Sequence, residues 1–89
     1  MKIWKFSLNV TDEQIVPMPK GSEILTVQIQ QGRINLWARC SETAPKEDVR
    51  ICIYGTGHTV PDNPGKYLGT VQHLNGDLVW HVYEDSRTE

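Results

Sequence analysis

The stretch Tyr54-Gly55-Thr56-Gly57-His58, with Gly65-Lys66-Tyr67-Leu68-Gly69 after it, concentrates the chemically capable side chains of this chain. An imidazole, an ammonium and two phenols stand there beside glycines, on backbone that can bend sharply. Loops carried by a rigid scaffold are where binding sites are commonly built. The Gly55-x-Gly57 pair suggests a cradle of backbone amides for an anion. A nucleotide fingerprint asks for more, namely further glycines at set spacing and a helix whose N-terminus meets the phosphate. Pro61-Asp62-Asn63-Pro64 follows instead, which excludes the P-loop and dinucleotide readings. The plainer expectation is a bulge or bend that ends a strand and aims Tyr54 and His58.

The histidines are His58, His73 and His81. A two-residue turn at Asn75-Gly76 sets His73 opposite Leu78, Gln72 opposite Val79 and Thr70 opposite His81. Alternation then sends His73 and His81 to opposite faces. With no Cys-x-x-Cys or His-x-x-x-His spacing, neither a metal nor another cofactor is expected. His58 and His81 could serve as an acid–base pair for hydrolysis or RNA cleavage, with Lys66 stabilising charge. The competing reading is three unrelated histidines. A two-histidine phosphoesterase would need a hydroxyl two residues after a second histidine, where this chain has Asn75 and Tyr83.

These residues need a scaffold, and 89 residues supply one small domain. Residues 2–10 alternate, with Trp4, Phe6, Leu8 and Val10 on one face. Residues 14–18 return after a turn at Thr11-Asp12-Glu13, and Pro17 and Pro19 place that strand at an edge. Glu23–Gln30 and Arg33–Cys40 form a hairpin about Gln31-Gly32, with Leu25, Val27 and Ile29 sharing one face and Ile34, Leu36, Ala38 and Cys40 another. Ser41 to Asp48 is a polar connection with room for one helical turn capped by Thr43. Residues 49–54, 66–74 and 77–84 complete the set. The pattern predicts an all-β fold of seven strands built from consecutive hairpins, as a small antiparallel β-sandwich or an open barrel. Residues 1–84 form the domain and 85–89 a frayed tail.

Trp4, Phe6, Trp37, Tyr67 and Trp80 are candidates for a core that must use a few large residues well. Trp37 also lies between Arg33 and Arg39 on one strand face, where cation–π contact or simple coverage by arginine stems would serve. The face of Val79, His81 and Tyr83, opposite Trp80, is an apolar-aromatic strip suited to a partner, as are Ile24 with Thr26 and Trp37.

Net charge is −2 with both signs interspersed, so the basic footprint of a nucleic-acid binder is missing. No apolar run approaches the roughly 20 residues of a membrane span. The N-terminus carries no hydrophobic block or cleavage site. A cytosolic protein is therefore expected, with Cys40 and Cys52 as reduced, inert thiols. A domain this small gains from self-association, so a homo-oligomer is an open expectation.

Several blocks together resemble a known group. They are Met1-Lys2-Ile3-Trp4-Lys5-Phe6, Val10-Thr11-Asp12-Glu13-Gln14, Met18-Pro19-Lys20-Gly21, and the run from Ile53 through Tyr54-Gly55-Thr56-Gly57-His58 to Pro64-Gly65-Lys66-Tyr67-Leu68-Gly69-Thr70. The chain resembles a family of small uncharacterised proteins encoded by tailed bacteriophages and bacterial prophages. The resemblance implies an accessory protein in the host bacterial cytoplasm. Its expected action is binding, foremost as an inhibitor of a bacterial host or defence protein. The alternative is a small-molecule or nucleotide sponge that uses Lys66 and the Gly55 and Gly57 amides for an anion. The expected surface combines Tyr54, His58, Lys66 and Tyr67 with Trp37 and Arg39 and with His81 and Tyr83.

Overall fold

A computed structural model describes residues 1–85. They form seven strands: β1 (Lys2–Leu8), β2 (Glu13–Pro19), β3 (Glu23–Gln30), β4 (Arg33–Cys40), β5 (Lys46–Gly55), β6 (Lys66–His73) and β7 (Leu78–Asp85). Two antiparallel sheets result, one ordered β1-β4-β3 and the other β2-β5-β7-β6. The Cα envelope is 16 Å through its thinnest direction, the depth of two stacked sheets. The fold is a small β-sandwich. Among the described residues no helix is long and apolar enough to cross a membrane.

Two connections, β3–β4 and β6–β7, are hairpins between paired neighbours, so the chain is not a run of consecutive hairpins. β1 pairs with β4 and β2 with β5, so the chain changes sheets between β1 and β2. Gln14 explains that arch. Its side-chain amide donates to the Asn9 carbonyl at 2.7 Å and accepts from the Asn9 amide at 3.0 Å, occupying the groups a hairpin partner would have used. Val10 consequently lies exposed in the arch rather than on the inward face of β1. β2 sits at a sheet edge, where its prolines leave no ladder bond unmade. No helical turn forms before β5. The Ser41 hydroxyl accepts the amides of Thr43 and Ala44, and pairing has begun by Lys46 opposite Pro19.

The core between the sheets is aliphatic. Leu8, Val16, Met18, Val27, Ile34, Leu36, Ile51, Ile53, Val71 and Val82 are buried there with Ala38 and Cys40. Each fully buried large aliphatic contributes about 1.5–3 kcal/mol. Of the aromatics expected inside, Phe6 and Trp80 pack against this core, while Trp4 and Tyr67 are exposed. Trp37 belongs to the outer face of its sheet, in register with Lys5 and Thr26. Arg33 donates to Asn9 and Arg39 pairs with Glu23, so both guanidinium heads reach polar partners.

Simple alternation fails at two bulges. In β3 the register slips between Ile24 and Thr26. Ile24 then packs on the core and Leu25 is pushed to the outer face, the reverse of the expected assignment. In β6 the slip lies between Tyr67 and Gly69, which puts Tyr67 and Thr70, three residues apart, on one face. The β6–β7 register is the expected one, with His73 opposite Leu78 and Thr70 opposite His81. Asp85, expected in a frayed tail, is the last residue of β7 and is buried opposite Arg50. The remainder of that expected tail, 86–89, lies outside the described residues.

Candidate functional site

The outer face of the four-stranded sheet gathers the aromatic and titratable side chains. The ladder sets Tyr54 opposite His81, and Cys52 opposite Tyr83. It also sets Tyr67 opposite Tyr83, and Thr70 opposite His81. Pleating points all six outward, so three strands present one continuous surface. The Tyr83 ring meets Tyr54 at 5.7 Å and Tyr67 at 5.4 Å between centroids, edge to face at 71° and 62°. Such pairs are worth about 0.5–1.5 kcal/mol each beyond burial. They also hold the rings in place before anything binds.

His81 is fixed beside this row. Its Nε2 lies 2.8 Å from the Thr56 hydroxyl and its Nδ1 lies 2.9 Å from the Thr70 hydroxyl. Thr70 also stands 2.5 Å from the Tyr67 hydroxyl. A chain Tyr67–Thr70–His81–Thr56 therefore crosses the sheet, and both imidazole nitrogens are occupied. A hydroxyl can donate or accept, so this arrangement holds either neutral tautomer of the ring.

Beneath the rings Cys52 is buried. Burial raises the thiol above its usual range, and the carboxylates of Asp85 and Glu13 push the same way. A hydrogen bond with Tyr54 and the Arg50 guanidinium act in the opposite direction without overcoming the burial. Cys52 is thus a neutral floor for the tyrosines rather than a nucleophile. Arg50 reaches Glu13 at 3.2 Å on the β2 side. Cys40 faces the core of the sandwich, away from Cys52, and both are free thiols.

Four of the expected site residues, Tyr54, Tyr67, His81 and Tyr83, come together on this face. The others do not join them. Trp37 and Arg39 occupy the outer face of the three-stranded sheet, on the far side of the molecule. Lys66 pairs with Glu84, one step out of phase with Tyr67, and is turned from the tyrosine face. His58 lies beyond the end of β5. There Gly55 to His58 form a turn closed by the His58 amide on the Gly55 carbonyl at 3.0 Å, with Gly57 at φ 89°. That positive φ at the third position is what a type II turn requires of glycine. The two glycines thus end a strand, as the plainer reading expected.

The His58 ring rests over Gly55, where an added Cβ would lie 2.8 Å from Cε1 and 3.2 Å from Trp80. A small cleft of about 160 Å³ opens there between the turn and the β6–β7 hairpin, lined by His58, Asp77 and Trp80 among others. The Trp80 indole N–H is buried without a partner among the described residues. The Thr56 amide donates to the Val79 carbonyl and the His58 amide closes its own turn. The amides on either side of Gly57 are therefore committed, whereas the expected cradle rests on those of Gly55 and Gly57. Among the described residues no three His, Cys, Asp or Glu side chains gather as metal ligands.

Thr56 was not among the expected site residues, and Thr70 was placed opposite His81 without being given a part. The signal for Thr56 is its place two residues after Tyr54 at the strand end. Arg50 and Cys52, the latter expected only as an inert thiol, share that alternation.

The fold and this face define a two-layer antiparallel β-sandwich with an aromatic–hydroxyl surface on its larger sheet. The family model of DUF7352, a domain of unknown function, matches residues 1–89, and the chain belongs to that family. No curated protein matches the chain. No solved structure matches it either.

Proposed function

We propose that this protein acts by binding a partner protein through the outer face of its four-stranded sheet. The observation that carries the reading is the edge-to-face row of Tyr54, Tyr83 and Tyr67 beside a histidine held by two hydroxyls. Tyrosine presents a large amphipathic area with few rotors, and rings already held in place lose little freedom on binding. A sheet face offers a broad, even surface of the kind a folded partner covers. Catalysis finds less support, because His58 and His81 stand at different places and His81 would have to release a threonine to take a proton.

For the partner we propose a bacterial host or defence protein, inhibited when it is covered, in the bacterial cytoplasm. The resemblance to small phage- and prophage-encoded proteins supplies that class. Immobilised protein should retain one partner from bacterial lysate, and Tyr67→Ala should lose it. Equal capture by both would remove the tyrosine face from the reading.

The cleft beside His58 supports a second reading, a small-molecule sponge. Its volume suits only a small ligand, Lys66 is not part of its lining, and the Thr56 and His58 amides beside it are already bonded. Mass spectrometry of small molecules released on denaturing freshly purified protein tests it. A stoichiometric ligand would favour the sponge over protein capture.

A further inference from the structure

We propose that the row of Tyr54, Tyr83 and Tyr67 receives an arginine side chain of the partner protein, a step that rests on the reading of this face as a protein-binding surface. The packing of the rings suits a cation. An edge-to-face contact covers one face of one ring, whereas a stacked pair covers two, so the row leaves more electron-rich face available. Tyr67, on the outer strand, is 54% exposed. Neighbouring centroids lie 5.7 Å and 5.4 Å apart. A cation above either junction can therefore lie within roughly 6 Å of two rings at once, the range over which a ring quadrupole attracts it.

The surrounding charge selects the sign of the occupant. Glu13, Cys52, Tyr83 and Tyr67 are successive partners across all four strands, so a carboxylate stands on the same rung as two of the rings. The next rung is Ile15, Arg50 and Asp85. Two carboxylates thus accompany one guanidinium. Farther along β5 the same face carries Lys46 and Asp48, which offset each other. Cys52 lies beneath the rings and senses the balance. Burial is the main reason its thiol is raised, and among the charges Asp85 and Glu13 each raise it by more than Arg50 lowers it. The field at the row is negative. The cations nearby are engaged elsewhere, since Arg50 reaches Glu13 at 3.2 Å and Lys66 pairs with Glu84 on the opposite face.

Arginine fits this place better than lysine. Its guanidinium is planar and weakly hydrated, so it can lie on a ring face while its N–H groups bond in the plane. Glu13 has acceptor capacity for them. One of its oxygens meets Arg50 and the side chain is 56% exposed, while a carboxylate offers about four acceptor sites.

Chemical-shift titration of the tyrosine rings in the full chain tests the inference. The probe is N-acetyl-arginine amide, and its neutral isostere N-acetyl-citrulline amide is the control at matched ionic strength. Saturable shifts are expected at Tyr54, Tyr67 and Tyr83, with citrulline binding at least about threefold weaker. Tyr83→Leu should abolish them at the two remaining rings, whereas Tyr83→Phe, which keeps the ring, should bind as the parent does. Glu13→Gln should weaken arginine binding about two- to fivefold and leave citrulline unchanged. Far-UV circular dichroism and urea midpoints establish that each variant is folded, and Tyr67→Leu replaces Tyr83→Leu if the latter is not. No saturable shift, equal binding of arginine and citrulline, or arginine binding indifferent to these variants overturns the inference. If Tyr67→Ala still loses the captured partner in that case, the protein-binding face stands without its arginine. If arginine binds selectively but Tyr67→Ala captures the same partner as the parent chain, the partner reading falls and the arginine docking with it.

Discussion

Thr70 and His81 face each other across the β6–β7 ladder, with the threonine hydroxyl 2.9 Å from imidazole Nδ1. The bulge after Tyr67 puts the tyrosine and Thr70 on one face, so their hydroxyls meet as well. Thr70→Val should therefore cost little stability, within about 1 kcal/mol for a half-exposed bond. It should nevertheless leave the imidazole held by Thr56 alone, with more freedom to move, and the Tyr67 hydroxyl without this partner. Nitrogen-15 spectra of the His81 ring check this. Slow exchange in the parent chain should give way to fast averaging in the variant, while urea midpoints stay close.

Two glycines with positive φ should respond very differently to alanine. Gly65 has φ 97°, and a Cβ there would lie 2.2 Å from the Glu84 carbonyl oxygen and 3.0 Å from Asp85 Cα. Both obstacles are backbone, so the loop before β6 must separate from the end of β7. Gly65→Ala should cost more than about 3 kcal/mol, combining overpacking with a strained φ. Gly57 has φ 89° with open space around it, and Gly57→Ala should cost only about 1–2 kcal/mol. Denaturant unfolding of both variants gives the comparison.

Leu74 holds φ 53° at the hairpin tip and is 61% exposed. A leucine there gains little from burial and bears the left-handed penalty, about 1–2 kcal/mol. Leu74→Asn should stabilise the protein by about 0.5–1 kcal/mol, because asparagine tolerates this conformation. The thermal midpoint should rise by several degrees, at about 4–8 °C per kcal/mol for a domain of this size.

Cys52 gives the fold an alkaline weakness. Its thiol pKa is raised in the folded protein, chiefly by burial. Below the unfolded thiol's pKa of about 8.5 both states hold the proton and the group has no effect on the balance. Above it the unfolded chain loses the proton first, so stability falls as pH rises toward the folded value. The slope is at most about 1.4 kcal/mol per pH unit for one proton. Urea midpoints between pH 8 and 9.5 should decline less in Cys52→Ala than in the parent chain.

Local chemistry made much of this structure readable. Asn75-Gly76 determined the β6–β7 register, and from it followed the Thr70–His81 pair and the divergence of His73 from His81. Pro17 and Pro19 identified an edge strand because a residue without an amide hydrogen has few other places in a sheet. The β3 bulge was not readable, since Ile24 and Leu25 are equally apolar and either can face the core. The arch after β1 was missed for a similar reason. Thr11 and Asp12 suit a hairpin turn and a sheet-changing loop alike, and the difference rests on the side chain of Gln14. For the candidate site, alternation grouped Tyr54 with Cys52, and His81 with Tyr83. It could not separate Trp37 and Arg39 from them, because alternation tells which face of a strand a residue occupies and nothing of which sheet receives the strand.

The tyrosine face is tested most directly by the affinity of a captured partner for two variants toward opposite ends of the β6–β7 hairpin. Binding of the purified partner should weaken at least about tenfold in Tyr83→Ala, which removes the ring shared by both aromatic contacts. It should be unchanged in Leu74→Asn, which alters the hairpin tip alone. Equal affinity for Tyr83→Ala and the parent chain, with both folded, would contradict the account.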